Sequence, residues 1–140
     1  MKKLVKMSYL LMGLFFILAS SSCEKDNLSN TELLTSHVWK WDKMTTTSTN
    51  ENLLALVAFA NALMTGATMD FHEDGTYTIT GMNNYSDDGD WMLNDADSKL
   101  ITDTYDEMSL IKLTKDELVL QGEVVDDEYG SYSVTLYFKK

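Results

Sequence analysis

From Leu33 onward, apolar and polar residues alternate with a period of two, broken at short intervals by turn signals. That pattern predicts an antiparallel meander of β-strands. His37-Val38-Trp39-Lys40-Trp41 opens the first strand, with Trp39 and Trp41 on one face. In the second, Ala67, Met69 and Phe71 share a face against Thr68, Asp70 and His72. Glu73-Asp74-Gly75 then supplies the positive φ that a tight hairpin turn demands. Tyr77 and Ile79 alternate with threonines in the third strand, and residues 83–90 read as a polar loop with a second turn at Asp88-Gly89. Trp91 and Leu93 begin the next strand. Residues 99–103, 108–113 and 118–125 supply three more, the last two joined by Thr114-Lys115-Asp116-Glu117. The final strand sets Tyr132, Val134, Leu136 and Phe138 against Ser133, Thr135 and Tyr137. About eight strands with hairpin-scale links is the number that closes a small up-and-down antiparallel β-barrel, so the expected class is all-β.

One segment departs from the alternation. Residues 53–60 are continuously apolar, extended by Ala62, Leu63 and Met64, and rich in Ala and Leu. Ser48 and Glu51 have the spacing of a capping box, and Gly66 suits a helix C′ position. The segment therefore predicts a helix over 50–64, inserted between the first two strands. It is too short to span a bilayer and, being apolar on nearly every face, is expected to be covered on most of them.

The N-terminus carries a different signal. Lys2, Lys3 and Lys6 precede an apolar run over 9–19, interrupted only by Gly13, which matches the n- and h-regions of a secretory signal. Ala19-Ser20-Ser21-Ser22 then leads into Cys23, the single cysteine. This arrangement resembles the lipobox of bacterial lipoproteins, where the cysteine becomes the lipidated first residue after cleavage. The large aliphatic residue that the family places three positions before the cysteine is Ser20 here, with Leu18 two residues earlier. The resemblance implies a removed leader over 1–22, a lipid anchor at Cys23, a flexible tether over 23–32 and a folded domain over 33–140. Glu24-Lys25-Asp26 resembles the surface-export signal of some Gram-negative lipoproteins, which implies an outer-membrane lipoprotein displayed on the outer face; a solvated spacer is the alternative. Two or three acyl chains, at about 0.8 kcal/mol per buried methylene, hold such a protein firmly to its membrane.

Composition narrows the chemistry. The chain has 140 residues, a one-domain length, with 22 acidic against 11 basic side chains and a net charge of −11. Loss of the leader removes lysines and no acid, so the mature chain is more acidic still. There is no arginine, which with the acidic balance excludes nucleic acid as a partner. One cysteine excludes a disulfide scaffold or a Cys-based zinc site within the chain. Asp70-x-His72-x-Asp74-Gly75 has the spacing of the start of a calcium loop, but its twelfth position is Gly81 and the segment reads as a strand entering a hairpin. Asp87, Asp88 and Asp90, and Asp126, Asp127 and Glu128, are read as turn residues. Nothing in the spacing brings two carboxylates across a cleft, and no activated nucleophile is signalled near His37. No catalytic residue, metal or cofactor is expected, and the chain is read as a non-enzyme.

Trp39 near the start of the first strand, the hairpin from Met69 to Tyr77, Gly89-Asp90-Trp91, and the run from Ile111 to Leu120 occur together and in order. In that combination they resemble small secreted bacterial lipoproteins with a lipocalin-like domain, over residues 33–138. The resemblance implies a small lipocalin-like antiparallel barrel or strongly curved sheet, with a cavity that in lipocalins takes an apolar molecule, so the expected ligand is small and apolar or amphipathic. Lipocalins carry Gly-x-Trp in the first strand and pack that Trp beneath an Arg; here His37 holds the Gly position, and Lys139 and Lys140 are the basic candidates. The candidate ligand-binding residues are Trp39, Trp41, Phe59, Phe71, Tyr77, Trp91 and Tyr132, with the helix over 50–64 as a lid. The alternative is an accessory subunit of an outer-membrane surface complex, with a packed, ligand-free barrel and a docking face on the helix or the acidic loops. An interior void of about 300 Å³ or more lined by those aromatics favours the first reading, a void-free interior the second.

Overall fold

The computed structural model describes residues 28–81, 85–104 and 107–140. The expected leader, the anchor at Cys23 and the tether through residue 27 lie outside the described residues. Helix α1 (Asn30–Thr35) precedes β1 (Trp39–Thr46), and α2 (Glu51–Leu63) links β1 to β2 (Thr68–Phe71). Then follow β3 (Thr76–Thr80), β4 (Ser86–Leu93), β5 (Lys99–Thr102), β6 (Glu107–Leu113), β7 (Glu117–Asp126) and β8 (Gly130–Lys139). The strands lie in chain order around a closed antiparallel barrel, with β8 pairing back onto β1. This is the closed up-and-down antiparallel barrel, with its inserted helix, that the hydrophobic pattern predicts. Bulges between Trp41 and Lys43 and between Leu110 and Lys112 shift the register and bend their strands, as closure of so small a sheet requires.

Three local readings change. Residues 30–32, read as the end of the tether, form the first turn of α1. Ser29 caps that turn: its Oγ accepts from the Glu32 N–H at 3.2 Å, while its own N–H donates to Glu32 Oε2 at 2.7 Å. For α2 the cap is Asn50 rather than Ser48, with Asn50 Oδ1 accepting from Asn52 N at 2.9 Å and Leu53 N at 3.3 Å. Gly66 does take a positive φ of 81°, but it lies two residues past the Met64 cap rather than directly after it.

The third change is in β4, which runs straight through Asp88-Gly89 where a turn was expected. Gly89 stands opposite Tyr77, and the Tyr77 hydroxyl lies across it, donating to Asp103 Oδ1 at 3.1 Å and meeting Thr104 Oγ1 at 2.9 Å. A Cβ on residue 89 would sit 2.6 Å from that hydroxyl and 2.7 Å from the ring. The glycine serves close approach inside a strand, not a turn. Since the Tyr77 ring is fully buried and has nowhere to retreat, Gly89→Ala is expected to cost about 1–3 kcal/mol in urea unfolding.

The barrel is plugged at the end where α1, the β2–β3, β4–β5 and β6–β7 turns and the end of β8 meet. Leu34 from α1 and Trp39 from β1 are fully buried there, and the Trp39 indole N–H donates to the Leu34 carbonyl at 3.0 Å. Phe71 packs edge-to-face on Trp91 with ring centroids 5.3 Å apart, and Trp91 Nε1 donates to the His72 carbonyl at 3.1 Å. His37 lays its ring 4.3 Å from that of Trp39, while Lys139 turns outward to Asp42 Oδ1 at 3.0 Å.

Burial holds the His37 pKa below its ordinary 6.5; Lys140 adds to the depression and Asp116 opposes it. The unfolded chain therefore takes up a proton that the folded chain resists. The His37 contribution to stability is complete above pH 6.5 and is lost as the pH falls through the lower folded value. Urea unfolding between about pH 7.5 and 5.5 should show a decline on acidification that His37→Asn makes shallower.

Candidate functional site

Beyond the plug, toward the end that carries α2, the barrel is not filled. A cavity of about 270 Å³ lies there. Trp41 and Met44 of β1, Leu136 and Phe138 of β8, and Leu120 of β7 form one wall. Thr68 and Met69 of β2, Ile79 of β3, Leu100 and Thr102 of β5, and Met108 of β6 form the other, with Ala67 just before β2. Ala60 and Met64 close it from the helix side. Apart from the Trp41 indole, the polar side chains on this lining are two threonine hydroxyls.

The cavity follows from side-chain volume. At the α1 end, Trp39, Phe71, Tyr77 and Trp91 consume the interior of an eight-stranded barrel, which is just wide enough to be filled by large side chains. Higher up, the inward positions carry Met, Leu, Ile, Ala and Thr, and these leave space. A void lined by hydrocarbon and thioether groups stays dry and accepts apolar molecules.

The wall beside α2 is a seam. β1 pairs with β2 only through Trp39↔Met69 and Lys40↔Thr68, although β1 continues to Thr46. The edge left open is covered by one side chain. Asn61 of α2 accepts from the Met44 N–H through Oδ1 at 2.6 Å and donates through Nδ2 to the Met44 carbonyl at 2.9 Å. The carboxamide takes the place of a strand partner and latches the helix to the barrel. Asn61→Ala orphans both backbone groups of Met44, and is expected to cost about 1–3 kcal/mol and to speed amide exchange at Met44 and along α2.

The helix itself is less covered than its composition predicts. Leu53 is buried, but Leu54, Leu56, Phe59 and Leu63 are exposed, Phe59 by 62%. α2 lies against the barrel on one side only, and no described element covers the other.

Of the seven residues proposed from sequence, Trp41 lies on the cavity. Trp39, Phe71, Tyr77 and Trp91 belong to the packed plug, Phe59 faces outward on α2, and Tyr132 is half-buried on β8 away from the lining. The three tryptophans divide accordingly. Trp39 and Trp91 each donate to a backbone carbonyl, whereas Trp41 Nε1 is buried with no hydrogen-bond partner and its ring meets Phe138 edge-to-face at 5.5 Å. The methionines Met44, Met64, Met69 and Met108 were not singled out, although Met69 stood on the inward face of its strand.

Among the described residues no group of three or more His, Cys, Asp or Glu side chains is placed to hold a metal ion, and no helix is long and apolar enough to cross a membrane. Asp74 of the calcium-like spacing is engaged within its own hairpin, accepting from Thr76 N at 3.0 Å and Thr76 Oγ1 at 2.7 Å, which pulls its pKa below the ordinary carboxylate value.

No protein-family model matches the chain, and no curated protein matches it. Among solved structures it is similar to bovine odorant binding protein complexed with its natural ligand, at 17% identity and a TM-score of 0.48 over 84% of this chain and 76% of that one. It is also similar to a DUF4847 family protein from Bacteroides vulgatus, at 13% identity and a TM-score of 0.44 over 77% of this chain and 96% of that one. At such identities the likeness is one of fold.

Proposed function

We propose that this protein is a lipid-anchored envelope lipoprotein of the outer membrane that binds a small apolar molecule without transforming it. The observation that carries the reading is the apolar, partly open cavity of about 270 Å³ between a plugged barrel floor and α2. Among the described residues its lining has no acid or base to activate a nucleophile against a ligand. The anchor rests on the sequence alone, on the apolar leader that ends at Cys23. Two measurements test the two halves. Organic extraction of protein purified from its own envelope should release a bound small molecule, and that molecule should raise the melting temperature; an empty extract together with no shift across a broad metabolite panel would sink the binding role. Labelled palmitate should enter the wild-type chain and not Cys23→Ser; failure to label the wild type removes the anchor.

A second reading has one observation in its favour, the exposed apolar side of α2 at Leu56, Phe59 and Leu63. Contiguous apolar surface of this kind marks contact sites. On this reading the protein is an accessory subunit of an outer-membrane complex, and Leu56→Asp with Phe59→Asp would release it from that complex in mild detergent. The unfilled interior favours the ligand reading over a barrel that serves only as a scaffold.

A further inference from the structure

We infer that the cavity takes a neutral, compact aromatic molecule of one or two rings, carrying no ionised group, and excludes long acyl chains. This rests on the ligand-binding role above and adds size, charge and shape to it.

Size follows from volume. A dry protein cavity of about 150 Å³ accepts benzene, so a space of about 270 Å³ corresponds to about eleven non-hydrogen atoms. That admits a fused pair of rings. A membrane-length acyl chain exceeds that volume.

Charge follows from the lining. Among the described residues no Lys, His, Asp or Glu side chain lines it, and the polar groups on the lining are the Thr68 and Thr102 hydroxyls and the Trp41 indole. An ionised ligand would be stripped of water with no counter-charge, which is among the costliest burials in a protein. The chain's net charge of −11 opposes the approach of carboxylates in addition.

Shape follows from the side chains that do the touching. Met44, Met69 and Met64 come from β1, β2 and the α2 cap along the seam, and Met108 comes from β6 across the barrel, so thioethers border the space on two sides. Thioether sulfur makes favourable contacts at aromatic ring edges, and methionine's flexible chain adjusts to ring substituents. Trp41 and Phe138, set at 87° to each other, add an aromatic corner. Aromatic rings pair well with such an edge-to-face arrangement. A rigid ring also surrenders no internal freedom on entry, whereas a flexible chain must be frozen.

The test is calorimetric titration of the purified protein with four probes: 1-naphthol, decan-1-ol matched to it in atom count, 1-naphthoate and palmitate. 1-Naphthol is expected to bind at least about tenfold more tightly than each of the others. Equal binding of decan-1-ol or palmitate overturns the aromatic class while leaving the binding role standing, and equal binding of 1-naphthoate overturns neutrality. Binding of none of the four defeats this inference, while the extraction and melting-temperature measurements above decide separately whether the binding role stands. In the variant carrying Met44→Leu and Met108→Leu, which conserves side-chain volume, the preference for 1-naphthol over decan-1-ol should shrink about threefold. An unchanged ratio overturns the part given to the thioethers.

Discussion

Trp39→Ala is expected to lower the unfolding free energy by about 3–5 kcal/mol, the usual cost of emptying a fully buried aromatic site. For a domain whose whole stability is about 5–15 kcal/mol, that brings the protein close to unfolding at ambient temperature. Three losses coincide at this residue. The indole fills the floor of the barrel, its N–H satisfies the Leu34 carbonyl at 3.0 Å and so holds α1 in place, and its ring supports that of His37 at 4.3 Å. Trp39→Phe keeps most of the packing and forfeits the hydrogen bond, so about 1–2 kcal/mol is expected of it. Far-UV circular dichroism in urea measures both. Because Trp39 is not on the cavity lining, the molecules that remain folded should keep their ligand affinity; a variant that stays fully stable but stops binding would contradict this division between floor and cavity.

Ala67→Phe should do the opposite, leaving the fold and abolishing binding. Ala67 is buried beside β2 on the lining, and its carbonyl accepts from Trp41 N at 2.8 Å through the backbone, which the substitution does not touch. The added ring brings atoms worth about 150 Å³ into the space, leaving less room than benzene needs. Affinity for any cavity ligand is expected to fall at least about a hundredfold, or about 2.7 kcal/mol. The melting temperature of the unliganded protein should hold or rise, since a filled void regains the contacts it lacked. Retained affinity in a stably folded Ala67→Phe would place the binding site elsewhere.

The walls of this barrel were legible because a strand with one wet and one dry face must alternate. Ala67-Met69-Phe71 and Tyr77-Ile79 point inward as their spacing requires. The first half of β4 was not legible, and the cause is specific. Asp87, Asp88, Gly89 and Asp90 are residues that local preference assigns to turns. What keeps them extended is the Tyr77 ring on the neighbouring strand, which only a glycine can face at that distance. A cross-strand neighbour does not register in a local pattern. Helix α1 is too short for periodicity, yet Ser29 and Glu32 carried a capping signal that was readable in retrospect.

The site was legible only in outline. Large aromatic side chains suggested an interior, and an interior they do form, but by filling it. A cavity is the volume that side chains fail to occupy, so it appears beside the smaller and more flexible ones, where composition offers no flag. Trp41 is the exception because it stands one inward step further along β1 than Trp39, where the neighbours thin out.

The position of α1 fixes how the molecule is held. Asn30 Nδ2 donates to the Asp97 carbonyl in the β4–β5 turn at 2.9 Å, and the Lys140 N–H donates to the Asp116 carbonyl in the β6–β7 turn at 3.2 Å. Both ends of the described chain thus emerge from the same pole, away from α2. A resin or reporter protein joined directly at Leu28 or Lys140 would grip the cup by its base and leave the α2 end free.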